Sequence, residues 1–162
     1  MGGYFLSIRG FAALLGILLA AATASGCGGG SDSDEVTVKA GPLSKAAFVR
    51  RADALCVAGR SQFNREYTAF IKKHPPNEKE WVEEVVDKFV LPVYGKLVNQ
   101  IAAIGAPKGD EQEVGKFLTT LQRRLDSMES EPKEIESSST PFKPAEKLAQ
   151  SYGLKGCSES FG

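Results

Sequence analysis

The stretch LSKAAFVRRADALCVAGRSQFNREYTAF, residues 43–70, decides the fold. Val49, Cys56, Phe63 and Phe70 recur every seven residues, with Ala52, Leu55 and Gly59 on the same side. Seven residues make almost two α-helical turns, so the pattern draws one apolar stripe and places Cys56 on it. Ser44 is a good N-cap, and Leu43 before it can pack on Phe48 as a hydrophobic staple. Pro75 and Pro76 end the helix, because a residue that precedes proline avoids the helical region.

The same period continues downstream. Asn77 with Glu80 reads as a capping box opening a second helix, whose stripe is Trp81, Val85, Phe89, Val93 and Leu97. Pro92 lies inside that pattern and predicts a kink, since it lacks a backbone donor and crowds the carbonyl four residues back. Gly105 and Pro107 stop the helix. Asp110 with Glu113 reads as another capping box, followed by Val114, Phe117, Leu118, Leu121, Leu125 and Met128, the cleanest amphipathic pattern in the chain. Residues 131–140 are polar and read as a loop. A short last helix over 141–152 carries Phe142, Ala145, Leu148 and Tyr152, with Gly153 as its C-cap and a tail running to Cys157. No stretch alternates with period two, so no sheet is expected. The expected fold class is all-α: an antiparallel four-helix bundle over residues 43–162, its second helix kinked at Pro92 and one disulfide holding the tail.

Ahead of the bundle lies an address. Arg9 precedes the apolar run 11–24, which has the length of a secretory signal and is short for a membrane span. Ser25-Gly26-Cys27 at its end resembles the lipobox of bacterial lipoproteins, in which the cysteine receives a lipid and becomes the first residue. Residues 1–26 are then a signal peptide, and residues 27–42 a lipidated cysteine with a Gly/Ser/Asp tether. The location expected is the cell envelope, anchored on the extracytoplasmic side. The alternative is cleavage at Ala24, within Ala22-Thr23-Ala24, which releases a secreted soluble protein.

Removal of residues 1–26 leaves two of the three cysteines beyond Cys27, and export puts them in an oxidising compartment. Cys56 and Cys157 are then expected to pair, 101 positions apart. Two free buried thiols are the alternative.

The tethered lipobox, Ala52-Asp53-Ala54-Leu55-Cys56, Ile104-Gly105-Ala106-Pro107 and the ending Tyr152-Gly-Leu-Lys-Gly-Cys157 are similar to small lipoproteins of actinobacteria and their relatives. The likeness covers most of the exported chain. It implies this architecture and location, and it implies no activity.

Chemistry is sparse. Across 162 residues, 20 Lys and Arg balance 20 Asp and Glu, where a nucleic-acid binder would show a basic excess, so no nucleic acid is expected. A single histidine, His74, excludes sites that need two imidazoles. Glu80, Glu83, Glu84 and Asp87 share a helical face without the Glu-x-x-His spacing of a di-iron bundle, and read as a solvated acidic face. No catalytic residue, metal ligand or cofactor is assigned. Serines 137–139 read as loop.

Two surfaces remain as candidates. Residues 44–73 carry seven basic side chains against two acidic ones, while 126–136 carry five acidic against one basic. Arg51, Arg65 and Lys72 fall at heptad spacing away from the apolar stripe, so they could dock on anionic lipid or polymer, or simply face solvent. Trp81, Phe89 and Tyr94 straddle Pro92, where a kink can open a groove for a ligand; ordinary core packing explains them too. The functional expectation is a monomeric, non-enzymatic envelope interaction protein that meets the membrane through its lipid and an envelope protein or anionic polymer through its surface. A module holding a small apolar or envelope-derived ligand between helices is the alternative. An enzyme whose groups converge from distant positions is the third reading.

Overall fold

A computed structural model describes residues 35–74, 76, 80–133 and 140–162. The expected signal peptide, Cys27, the expected tether up to residue 34, Asn77 and the serines at 137–139 lie outside these residues.

Helix α1 (Lys45–Ile71) opens as its sequence predicts, with the Ser44 hydroxyl accepting from the Ala47 N–H at 3.4 Å. Its buried residues are Phe48, Ala52, Cys56 and Phe70, while Val49, Leu55 and Phe63 flank them half-buried. The stripe is the expected one, turned slightly towards Phe48.

The second helical run is interrupted before its proline. Helix α2 (Trp81–Val85) passes into a π-helical turn (Val86–Val90) and then α3 (Leu91–Ile104). Glu80 stands at the N-cap position of α2 and makes no side-chain capping bond; instead the Trp81 Nε1–H reaches the His74 carbonyl at 3.1 Å. The Leu91 N–H bonds back to the Val86 carbonyl, five residues away instead of four. Pro92 has no N–H for the Lys88 carbonyl and its ring would crowd that group. A wider turn just upstream relieves the crowding without breaking the run. The discontinuity expected at Pro92 therefore takes the form of a π-helical turn one step earlier.

Gly105 ends α3 with φ of 75°, and a further segment needs it there. Residues 36–41, expected to belong to a free tether, lie along the domain. The Val36 N–H donates to Thr119 Oγ1 at 2.9 Å, the Ala106 N–H to the Lys39 carbonyl at 2.9 Å, and the Gly41 N–H to the Ala106 carbonyl at 2.6 Å. Val38 is buried beneath this strap. Ala40 and Ala106 form an isolated parallel bridge, and no strand is formed among the described residues. A Cβ on Gly41 would fall 2.7 Å from the Ile104 carbonyl oxygen, and one on Gly105 would fall 2.8 Å from the Gly41 Cα. Two glycines let the backbones meet.

Helix α4 (Glu111–Ser130) buries Val114, Phe117, Leu118, Leu121, Leu125 and Met128 as its period predicts. Its expected capping box is absent: Asp110 stands at the N-cap, but its side chain makes no capping bond. The Asp110 carboxylate accepts instead from the Tyr152 hydroxyl at 2.6 Å and lies 3.5 Å from Lys45 Nζ. Lys45 also sits over the Tyr152 ring, 4.1 Å from its centroid. This cluster joins the starts of α1 and α4 to the end of α5 (Lys143–Tyr152). The Tyr152 hydrogen bond, ahead of Lys45, holds the Asp110 carboxyl below its ordinary 3.8, while burial and then Asp110 push the Tyr152 phenol up.

A group whose folded-state value is depressed stabilises above its unfolded value and loses that contribution as pH falls through the folded one. Tyr152→Phe is therefore expected to lower the urea midpoint at neutral pH. The gap from the parent should narrow as pH drops below about 3.8. Unfolding curves at pH 7 and pH 3 check this; a gap that does not change with pH would place the cost elsewhere.

Gly153, with φ of 100°, closes α5. The Leu154 N–H bonds to the Ala149 carbonyl at 2.8 Å and the Gly153 N–H to Gln150 at 3.1 Å, the Schellman arrangement, with Leu154 buried after it. The expected tail is in fact a sixth helix, α6 (Lys155–Phe161). Its sequence carries only Cys157 and Phe161 as an apolar pair, too little to announce a helix. Contact supplies the rest. Cys56 and Cys157 are disulfide-bonded with Cα atoms 4.9 Å apart, both wholly buried. Beside them the Cys157 N–H donates to Asp53 Oδ1 at 3.0 Å, and a Cβ on Gly156 would fall 2.9 Å from that of Asp53. The described chain is thus mostly helical, with one disulfide between α1 and α6. Its core is built on Phe48, Leu97, Ile101, Phe117, Leu118 and Leu121.

Candidate functional site

On α1, Phe63 and Tyr67 are one turn apart and their rings stack, with centroids at 5.5 Å. Tyr67 meets Trp81 of α2 edge-on at 6.0 Å, and Phe63 meets Tyr94 of α3 at 5.9 Å. Tyr94 in turn packs on Phe142 at 4.9 Å and on Phe161 of α6 at 6.0 Å. These rings do not close on one another. They leave a cleft of about 530 Å³ between α1, α2 with the π-helical turn, α3 and α6. Val82, Val90 and Met128 complete its apolar wall.

Polar groups on the cleft are few. Arg60 is the one charged side chain among the described lining residues. Its Nη1 donates to the carbonyls of Glu159 and, at 3.5 Å, Gly162, which fixes the guanidinium at the end of α6. Ser160 donates to the Gly156 carbonyl at 2.6 Å. Asn64 lies exposed at the rim. Tyr94 is only 5% exposed, and its hydroxyl makes no hydrogen bond among the described residues. Burial pushes its phenol above the ordinary 10.0, against the opposing charge of Arg60.

Of the three residues expected to form a groove, Trp81 and Tyr94 line this cleft and Phe89 does not. The Phe89 ring packs on Phe70 at 5.1 Å instead. Five residues separate it from Tyr94, and at about 100° per residue five steps turn a side chain about 140° away. Arg60, Phe63, Tyr67, Phe142 and Phe161 were legible only as core or surface positions. Their meeting depends on where α6 docks, and no local signal announced that helix.

The other candidate residues are dispersed. Arg51 and Arg65 are exposed on α1, and Lys72 is exposed at its C-cap. Glu84 is bonded by Lys88, and that bond holds its carboxyl below the ordinary 4.5; Glu83 lies 3.9 Å from Lys133. His74 stacks on Phe70 at 4.5 Å. Among the described residues no group of three or more His, Cys, Asp or Glu side chains could hold a metal ion, and no helix is long and apolar enough to cross a membrane. Comparison with protein-family models, with curated proteins and with solved structures finds no match to this chain.

Proposed function

We propose that this chain is an exported, lipid-anchored helical domain that holds a small, largely apolar ligand between its helices and does no chemistry on it. The observation that carries the reading is the aromatic cleft of about 530 Å³, with few polar groups on its wall. Small-molecule sites are commonly concavities of roughly 300–1,000 Å³ with such a lining. The scaffold reads as an antiparallel bundle of its four longer helical runs, with α6 closing the cleft. An anchor on Cys27 would keep the domain at the membrane face, and mass spectrometry of the mature N-terminus is expected to find a diacylated cysteine there.

A second reading, an envelope interaction protein docking through Arg51, Arg65 and Lys72, has less to support it. Among the described residues the exposed large hydrophobics are Val57, at 52%, and Ile71, at 37%. They are 14 positions apart on α1, where docking surfaces usually offer a contiguous apolar patch.

Trp81 is the single tryptophan of the sequence and lies on the cleft, so its fluorescence reports the site directly. Titration with N-phenyl-1-naphthylamine, a neutral apolar fluorophore, is expected to give saturable energy transfer from Trp81. Transfer that rises without saturation, or none, would remove the binding-module reading.

A further inference from the structure

The cleft has a polar end and an apolar end, and the distinction lies in which donors are already used. The Trp81 Nε1–H is taken by the His74 carbonyl, so this residue offers a ligand its ring. The Ser160 hydroxyl hydrogen is taken by Gly156. Nη1 of Arg60 serves two carbonyls, but the guanidinium has five N–H groups, and its Nε and Nη2 donors serve no acceptor among the described residues. Tyr94 lines the cleft, and its hydroxyl makes no hydrogen bond among the described residues. An unpaired hydroxyl on the cleft wall is a donor that a ligand can use. Arg60 and Tyr94 line the same cleft.

We infer that the cleft selects an acidic amphiphile. Its carboxylate head is received by the Tyr94 hydroxyl and the Arg60 guanidinium, and its apolar body lies against Trp81 and Tyr67. This rests on the binding-module reading above and names the class of ligand for the same site. Two unused donors on one cleft wall call for an acceptor-rich head, and a guanidinium suits a carboxylate in charge and shape. The rival occupant is a quaternary ammonium, which aromatic rings also attract. A fixed guanidinium on the same wall opposes it.

The test uses the exported chain carrying Cys27→Ser, which removes the acylated thiol and keeps the protein in solution. Decanoate and decyltrimethylammonium share a tail and differ in the sign of the head. Both are titrated below their micelle-forming concentrations, with Trp81 emission as the readout and N-phenyl-1-naphthylamine as the neutral control. Decanoate is expected to bind about tenfold or more tightly than the ammonium. Tyr94→Phe keeps the ring and removes only the hydroxyl. It is expected to weaken decanoate several-fold more than it weakens the neutral probe, the ratio of the two affinities being the readout.

Equal affinities for the two amphiphiles, tighter binding of the ammonium, or no effect of Tyr94→Phe on that ratio would each overturn the head assignment. In those cases saturable binding of the neutral probe would leave the binding-module reading standing. If neither amphiphile nor the neutral probe saturates, both fall together.

Discussion

Replacing Cys56 and Cys157 together by alanine is expected to lower the unfolding free energy by about 4–5 kcal/mol. The bond joins positions 101 apart, and the chain-entropy account of a loop that long gives a figure of this size. The fold adds a local reason. Helix α6 has seven residues, well below the length at which a helix persists alone in water. It is held by the disulfide, by Asp53 on the Cys157 N–H, by Arg60 at its far end and by the Phe161 ring. Without the covalent link α6 should detach before the remainder unfolds. Urea titrations of the oxidised parent and the double alanine variant check the total. Trp81 emission beside far-ultraviolet dichroism checks the order of events, because α6 is one wall of the cleft that Trp81 lines. Equal midpoints for the two proteins would show that the bond adds nothing to stability.

The second large effect is expected at Phe48. Its side chain is wholly buried in the first two turns of α1 and meets Tyr152 edge-on at 6.0 Å. Phe48→Ala removes a ring from a site bordered by the Asp110–Tyr152–Lys45 cluster, where bonded polar groups oppose collapse into the space. A loss of about 3–5 kcal/mol is expected, while Phe48→Leu should cost clearly less because it leaves a smaller cavity. Chemical unfolding at neutral pH measures both. Similar losses for the two variants would show that the edge-on ring contact, not volume, is what counts.

Much of the helical content could be read from the chain because helices announce themselves locally. The Ser44 cap, the stripe through Cys56, the α4 pattern from Val114 to Met128 and the stops at Gly105 and Gly153 all depend on neighbours within a few residues. Where the reading departs from the structure, a distant partner decides. Asp110 has the sequence context of a capping residue, yet Tyr152, 42 positions away, takes its carboxylate. The strap Val36-Thr-Val-Lys-Ala-Gly41 is too short for its sequence to place it until Ala106 and Thr119 receive it.

The candidate site divides in the same way. Trp81, Phe89 and Tyr94 stood out together as aromatics around a proline. Nearness in sequence does not put side chains on one face, and the Phe89 ring packs on Phe70 instead. Arg60 lies on α1 four positions after Cys56, so the same docking that joins the cysteines carries it to the end of α6. Cysteine pairing was legible; what the pairing brings along with it was not.

The strap over residues 36–41 has a mechanical consequence. A load applied from the N-terminal side does not enter the domain at the first turn of α1. It meets the hydrogen bonds at Val36, Lys39 and Gly41 first, and passes through them to Ala106, between α3 and α4, and to Thr119 within α4. If those bonds shear, six residues are released, and six extended residues add roughly 20 Å of length before α1 is pulled. The segment is therefore a strain relief. A domain held at one end can take a tug from its surroundings by paying out a short length of backbone, with the disulfide and the cleft still shut behind it.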